Sequence, residues 1–279
     1  MRIGMWLTTF ATLSSLIGAG ATRAAIIYLA DGSGYVVRFD TEMDAATPLG
    51  RVSTDGAQSP RFTGLAYDPA TDSILIAENS ERVVYAMDAA TGAVSSLFST
   101  PGVLLYGGAV LNGTLYGLNE DNDTAVAYSL DGVAQGLSGT RLAAHSHAMG
   151  VDPSAAQLYI IDLVESQIHR LNDDGTLGDV TVAISDPGFA MEDVDYFGGD
   201  FLVAAGAEVW LVDGATGAAS MFLDRQQLIA MGLREAVGVA VRYEAAAVPE
   251  PNSLALALAG LGGLALLAHR PRRRRRTPA

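Results

Sequence analysis

The chain of 279 residues contains no cysteine and no lysine. Without cysteine it can form neither disulfides nor thiolate sites, so packing must stabilise the fold. Three catalytic signatures are also missing: a Gly-x-Ser-x-Gly nucleophile elbow, a phosphate-binding glycine loop and an HExxH zinc helix. Nothing in the sequence therefore demands catalysis.

Basic residues are scarce outside the two ends of the chain. Seventeen arginines and thirty-one acidic residues give a formal net charge of -14. Residues 1–24 and 249–279 contain only one of the acids, Glu250, but eight of the arginines: Arg2, Arg23, Arg270, Arg272, Arg273, Arg274, Arg275 and Arg276. Nine arginines against thirty acids leave the body with a net charge of about −21, which repels nucleic acid and anionic lipid. We therefore exclude nucleic acid as a partner, whereas such a body would attract calcium.

Residues 1–24 are typical of a secretory signal peptide. Arg2 precedes an apolar stretch over residues 5–17, and small residues dominate positions 18–25. The small side chains suit cleavage after Ala21 or after Ala24, and we favour Ala24. We therefore expect the rest of the chain to be exported through the inner membrane.

The C-terminal end has three parts. Pro249, Glu250 and Pro251 lie in a linker, residues 244–253, that cannot continue a helix or strand because proline fixes φ and lacks a backbone donor. The apolar run over residues 254–269 predicts a transmembrane helix that can just span a bilayer core. The last part, residues 270–279, predicts a cytoplasmic tail from its six arginines, Arg270, Arg272, Arg273, Arg274, Arg275 and Arg276.

This tripartite end resembles the PEP-CTERM sorting signal of Gram-negative bacteria. The resemblance covers residues 248–279, with Pro249, Glu250 and Pro251 as the motif. It implies processing near the motif by an exosortase, a membrane peptidase, in a protein that travels outward with exopolysaccharide production. An ordinary tail anchor is the alternative, although such an anchor needs no Pro-Glu-Pro segment and usually has a longer span.

Internal repeats indicate the fold of the body. Segments begin with a small or acidic residue every 43 residues, at Gly64, Gly107, Gly150 and Asp193, and a related start falls at Gly238. Each unit contains four short runs of β-branched and apolar residues, separated by turn dipeptides such as Asp-Pro and Asn-Gly. This period is that of one four-stranded propeller blade.

The two ends of the body complete each other. Residues 26–50 supply only three strands, and residues 236–242 have the pattern of the missing first strand. The sequence therefore predicts an all-β, five-bladed β-propeller over residues 25–243, closed by one C-terminal and three N-terminal strands. Residues 224–234 are the only plausible helix or long loop.

The repeats at 64–69 and 158–162 resemble the NHL and YVTN class of propeller repeats, which implies a binding platform and no particular chemistry.

Polar residues recur at the ends of the predicted second strands: Asp31, Glu78, Asn119 and Asp162. We call them the polar ring. Such a ring would suit calcium, which prefers oxygen ligands. The same recurrence is expected if each side chain caps its own turn by hydrogen bonds to the backbone, and we favour that structural role.

Three further candidates are weaker. His145 and His147 are the one histidine pair, but a transition-metal site needs a third ligand, so we favour a solvated loop. The acidic segments 120–123 and 172–174 resemble fragments of calcium loops without EF-hand spacing, and we interpret them as solvated turns. Trp210 would make a sugar-stacking platform, but its position matches Tyr85 and Tyr128 of other blades, which favours core packing.

Two functions are compatible with the sequence. The first is an exported cell-surface or extracellular-matrix propeller that binds exopolysaccharide or a protein, with no cofactor and no catalytic residue. The alternative is a metal-dependent enzyme, a lactonase-like hydrolase or a lyase. That alternative requires at least three residues from the polar ring, His145 and His147 to converge on one face. We favour the first because the sorting resemblance accompanies missing catalytic motifs.

Overall fold

A computed structural model describes residues 25–54, 61–137, 142, 146–185 and 191–243. The chain divides into two units, Met1–Arg242 and Tyr243–Ala279, and the described residues belong almost entirely to the first. The predicted signal peptide, linker, transmembrane helix and arginine tail lie outside the described residues, and so does His145.

Twenty strands and one short helix make up the described structure. In chain order the strands are β1 (Ala25–Ala30), β2 (Tyr35–Asp40), β3 (Ala45–Arg51), β4 (Phe62–Asp68), β5 (Ser73–Glu78), β6 (Val83–Asp88), β7 (Val94–Ser99), β8 (Leu105–Leu111), β9 (Thr114–Asn119), β10 (Thr124–Ser129), β11 (Ala134–Gln135), β12 (Ser146–Asp152), β13 (Gln157–Asp162), β14 (Gln167–Leu171), β15 (Leu177–Ala183), β16 (Asp193–Phe197), β17 (Asp200–Ala205), β18 (Glu208–Val212), β19 (Ala219–Leu223) and β20 (Gly238–Tyr243). Helix α1 (Arg225–Ala230) lies between β19 and β20.

The strands form five four-stranded sheets, which are the blades of a propeller. Blade 1 has the order β20-β1-β2-β3, and blades 2 to 5 each use four consecutive strands, beginning with β4, β8, β12 and β16. The predicted five-bladed, all-β propeller is therefore confirmed. In blade 1 the C-terminal strand β20 lies beside the three N-terminal strands, so the ring closes through strand pairing.

Burial falls from the centre of the propeller outward. Strand β1 is buried along its whole length, β2 alternates between buried and half-buried positions, and β3 is mostly exposed. Blade 2 repeats this gradient from β5 to β7. The first two strands of a blade are covered on both faces by neighbouring blades, which explains their nearly continuous apolar sequences.

The hydrophobic core lies between neighbouring blades. Between blades 1 and 2, buried Tyr28 packs in one cluster with Leu65, Ile74 and Met87. Similar clusters join blade 2 to 3, 3 to 4 and 4 to 5. Each blade therefore depends on its neighbours for burial of its apolar faces.

Local sequence determines the turns. Asn112 and Gly113 have φ values of 53° and 75° in the turn between β8 and β9, as expected for a two-residue hairpin of Asn-Gly type. Residues 224–234, for which the sequence left a helix or a long loop open, contain helix α1. It begins with a capping box, in which the Asp224 carboxylate accepts the Gln227 N–H and the Gln227 side chain accepts the Asp224 N–H, each at 2.8 Å.

The innermost strands meet at the centre of the propeller, which we call the hub. A Cβ added to Gly64 would lie 2.5 Å from the Cα of Gly107, and one added to Gly107 would lie 2.7 Å from the Cα of Ala148. A Cβ on Gly150 would lie 2.8 Å from the Cα of Asp195. Glycine at these positions therefore allows inner strands of neighbouring blades to approach backbone to backbone.

Candidate functional site

Two carboxyl groups on β16, Asp193 and Asp195, occupy the hub. Their residues are only 0% and 5% exposed. One oxygen of Asp193, Oδ2, accepts the N–H of Leu65 in blade 2 at 3.0 Å and the N–H of Val239 in blade 1 at 2.9 Å. The other oxygen, Oδ1, accepts the N–H of Val194 at 3.0 Å. Asp193 thus connects blade 5 to blades 1 and 2.

Asp195 makes the corresponding connection to other strands. Its Oδ1 accepts the N–H of Val151 in blade 4 at 3.0 Å, and its Oδ2 accepts the N–H of Val241 in blade 1 at 2.7 Å. The N–H of Tyr196 also donates to Oδ1, at 2.8 Å. The hub carboxyls together bind backbone groups of four of the five blades.

Burial dominates the electrostatics of the hub. It raises the pKa of Asp195 to about 7, although three backbone N–H donors favour the ionised form. Burial also raises the pKa of Asp193 well above its ordinary value, and the nearby Asp195 charge acts in the same direction. Perturbed carboxyls often mark active sites, but here their oxygens accept hydrogen bonds from backbone N–H groups. The arrangement acts chemically as a clamp between blades.

The hub carboxyls were missed as a candidate site, although the sequence carried a signal. In the 43-residue series, Asp193 stands where Gly64, Gly107 and Gly150 stand, and Asp195 follows two residues later on the same face of β16. An acidic side chain on a buried strand, at a position where other blades have a small residue, needs hydrogen-bond donors that compensate for its lost hydration. Here the partners are backbone N–H groups of the other blades.

The polar ring has the turn-capping role. Each of its four side chains is buried and accepts backbone N–H groups from the turn that follows. The donors are Ser33 and Tyr35 for Asp31, Ser80 and Glu81 for Glu78, Asp121 for Asn119, and Val164 and Glu165 for Asp162. These are the Asx-type hydrogen bonds expected of a structural role.

Metal ligation requires convergence of side chains. Among the described residues, no group of three or more histidine, aspartate or glutamate side chains is arranged to hold a metal ion. His147 lies in β12, but its side chain belongs with His145 outside the described part of the chain. The histidine pair therefore stays a prediction.

The acidic segments form local turns. In the turn at 172–176, Asp174 accepts both the N–H and the hydroxyl of Thr176, and these bonds lower the pKa of Asp174. In the other segment the Asn122 side chain accepts the hydroxyl of Thr124 at 2.7 Å. Both arrangements are hydrogen bonds within a turn.

Trp210 packs against the core, as predicted. Tyr128, however, does not occupy the equivalent position in its own blade. Half-buried Trp210 contacts the cluster between blades 4 and 5, and its Nε1 donates to Glu208 at 3.1 Å. It pairs with Val203 as Tyr85 pairs with Ile76, at the fourth residue of each second strand. Tyr128 instead pairs with the second residue of its neighbouring strand, so it lies two residues away from the equivalent position.

A cluster of aromatic and charged side chains lies between blades 1 and 2. The rings of Tyr28 and Tyr67 stack with centroids 5.7 Å apart, and the Arg242 guanidinium lies 5.8 Å from the centroid of Tyr67. The Asp72 Oδ1 atom accepts the Tyr67 hydroxyl at 2.8 Å and lies 3.2 Å from Arg242 Nη1. On β2, Arg38 pairs directly with Tyr28. We call these five residues the tyrosine–arginine cluster.

Residues 247–274 match the PEP-CTERM protein-sorting motif. The chain carries a PEP-CTERM sorting signal. This signal implies export, transient anchoring in the membrane through the C-terminal region, and processing by an exosortase-type enzyme. Within the described ranges no helix is long and apolar enough to cross a membrane, and the span expected at 254–269 lies outside them.

Solved structures show that the fold is shared. A chain of a nidogen/laminin complex superposes with a TM-score of 0.57 at 14% identity, covering 78% of this chain and 98% of that chain. A virginiamycin B lyase from Staphylococcus aureus gives 0.44 at 12% identity, covering 73% of this chain and 72% of that chain. A protein of unknown function from Bacteroides thetaiotaomicron gives 0.49 at 12%, covering 74% and 60% respectively. No curated protein matches significantly. At 14% identity the likeness to the nidogen/laminin chain indicates the fold alone.

Proposed function

We propose that the protein is an exported β-propeller that acts at the cell surface or in the extracellular matrix by binding exopolysaccharide or a protein ligand. The observation that carries this proposal is the sorting signal directly behind a closed propeller. The last strand, β20, ends at Tyr243, and the matched signal begins at residue 247. The propeller is therefore the folded domain that this signal sorts.

The parts of the sorting signal have separate roles in this proposal. An exosortase-type peptidase recognises Pro249, Glu250 and Pro251, two of which are prolines that lack a backbone N–H donor. The apolar run at 254–269 holds the chain in the inner membrane until it is cut. The arginines Arg270, Arg272, Arg273, Arg274, Arg275 and Arg276 keep the C-terminus in the cytoplasm.

We assign ligand binding to the outer surface of the propeller. Glycine contacts bring inner strands together at the hub, and two buried carboxyls bind their backbone groups. The turns and the outermost strands are exposed instead. Propellers commonly use such loop-bearing surfaces as binding platforms.

The binding proposal is tested by the distribution of the protein between medium and matrix. We expect retention in the cell-bound matrix of cells that make exopolysaccharide and release into the medium from cells that do not. Retention that persists without exopolysaccharide but disappears after protease treatment of the cell surface would identify a protein ligand. Free protein in the medium of both cell types would reject binding.

A further inference from the structure

We propose that the tyrosine–arginine cluster between blades 1 and 2 is a binding site for the carboxylate group of an external ligand. The site is formed by Tyr28, Tyr67 and two arginines, Arg38 and Arg242, with Asp72 as the carboxylate now in place. The proposal deepens the proposed binding function by naming the chemistry of one binding group.

Asp72 shows that this site accepts a carboxylate. A single oxygen, Oδ1, accepts the Tyr67 hydroxyl and pairs with Arg242. Asp72 belongs to the turn between β4 and β5, where its φ of 50° lies in the left-handed region that aspartate and asparagine adopt more readily than most residues. Its side chain is 43% exposed, and that of Arg242 is 31% exposed. An external carboxylate can therefore reach the guanidinium and replace Asp72.

The cluster contains more donors than Asp72 uses. The Tyr28 hydroxyl and the Arg38 Nε are both buried. The hydroxyl interacts with Arg242, and a guanidinium can only donate, so neither the hydroxyl proton nor the Arg38 Nε proton has an acceptor. Tyr28 itself is completely buried, and the nearest acid to Arg38 is Asp40, at 4.0 Å. Buried polar groups are normally hydrogen-bonded, so two such atoms in one cluster point to an additional acceptor.

Both arginines act on the Tyr28 hydroxyl. Burial raises the pKa of Tyr28, while a hydrogen bond with Arg242 and the charges of Arg242 and Arg38 lower it. Two positive groups beside one phenol, in a body with a net charge of about −21, are an unusual concentration of donors. A guanidinium fork together with a hydroxyl suits a carboxylate, which offers two acceptor oxygens.

The interface between blades 4 and 5 provides an internal control. Tyr159 stacks on Tyr196 at 5.7 Å, and Arg170 pairs with Tyr159 as Arg38 pairs with Tyr28. There, burial raises the pKa of Tyr159 and the charge of Asp152 raises it further. Tyr159 therefore lies near one carboxylate and one arginine, Arg170, whereas Tyr28 lies near one carboxylate and two arginines.

The sequence explains why Arg242 is present. Residues 238–242 repeat the pattern of residues 64–68, and Arg242 stands where Asp68 stands. Asp68 caps the turn that follows its strand through bonds to Ala70 and Thr71. Strand β20 has no such turn, because the partner strand β1 lies at the other end of the chain. The position is therefore free to carry a cation.

The test measures binding of two carboxylate probes, sodium acetate and sodium D-glucuronate, to the full chain in a nonionic detergent. Tyr28→Phe removes only the hydroxyl whose proton lacks an acceptor, and we expect about tenfold weaker binding. Asp72→Asn removes the competing carboxylate, keeps a residue that tolerates positive φ, and should bind about tenfold more tightly. The matched control, Tyr159→Phe, should bind as the unmodified chain does.

Binding of both probes would identify a site for a bare carboxylate, and binding of glucuronate alone would identify a site for an acidic sugar. The proposal is overturned if neither probe binds Asp72→Asn, or if Tyr28→Phe and Tyr159→Phe behave alike. Because the probes are small and soluble, a negative result here leaves retention in the matrix as an independent test of the proposed function.

Discussion

At the scale of single residues, two side chains connect blades that share no strand. The bonds of Asp193 and Asp195 reach residues up to 128 positions away in the chain. Each carboxyl loses its hydration on burial and gains three backbone donors in return. The hub is therefore stabilised by side chain to backbone bonds as well as by apolar packing.

Asp193→Ala should show the contribution of these bonds. The substitution leaves the N–H groups of Leu65 and Val239 buried without an acceptor. We expect the free energy of unfolding in urea to fall by about 2–4 kcal/mol. Asp121→Ala, at an exposed turn position, is the control and should change it little. Equal stability of the two variants would contradict the clamping role.

The pH dependence of stability should reveal Asp195. Its folded pKa of about 7 exceeds its unfolded value of about 4, so the native state binds the proton more tightly than the unfolded chain. The contribution of this group to the free energy of unfolding therefore falls as pH rises from about 4 to about 7, by up to about 4 kcal/mol, and is constant above that range.

Urea unfolding at several pH values isolates this contribution. Asp195→Asn cannot ionise, so the stability of the wild type relative to this variant should fall over the same interval. Carboxyl groups other than Asp193, whose pKa the Asp195 charge raises, affect both proteins equally and cancel in the comparison. Parallel stability curves between pH 4 and pH 7 would show that Asp195 titrates as it does in the unfolded chain.

At the scale of elements, the sequence predicted strands well and their exact alignment less well. The period of 43 residues, the Asn-Gly turn and the three-plus-one strand count all correspond to observed features. However, Gly150 pairs with Tyr159 as Ala66 pairs with Leu75, so it is the counterpart of Ala66 and not of Gly64. Because side chains alternate with a period of two, a shift of two residues preserves the buried face and is invisible in the pattern.

The candidate site was predictable only in part. Local bonds of the polar ring follow from side chains next to their own turns, and the sequence indicated them correctly. The hub carboxyls and the tyrosine–arginine cluster depend on residues of different blades, for example Tyr28 with Tyr67 and Arg242. Such contacts follow from the closure of the ring, which repeat spacing indicates without specifying side-chain partners.

Strand β20 should be required for a stable ring. A chain that ends at Ala236 loses Val239, Ala240 and Val241, which are buried, together with the donors to both hub carboxyls. We expect the free energy of unfolding to fall by about 4 kcal/mol or more relative to a control chain that ends at Tyr243. Coincident urea transitions of the two chains would contradict closure through β20.

At the scale of the whole molecule, an acidic propeller is joined to a basic membrane-sorting segment. Export follows from the sorting signal, and the fold offers a platform for binding. The metal-dependent alternative depends on His145 and His147, whose side chains lie outside the described residues.

Metal analysis separates the binding protein from the metal-dependent enzyme. We expect native mass spectrometry of the purified chain, after dialysis against metal-free buffer, to show a folded protein that retains no transition metal or calcium. One tightly held metal per chain, lost in a His145→Ala/His147→Ala double variant, would favour the enzyme. A parallel His169→Ala variant tests whether the loss is specific to the pair.

The sorting of the protein is measured by cell fractionation with intact-mass determination of the product. For the wild type we predict a surface or medium product that lacks the apolar run at 254–269 and the arginine tail, because the exosortase-type enzyme cuts near Pro249, Glu250 and Pro251. Replacing these three residues by alanine should leave an uncut chain in the membrane fraction. A wild-type product that keeps its C-terminal tail, or a triple variant that is cut and released normally, would contradict sorting by this signal.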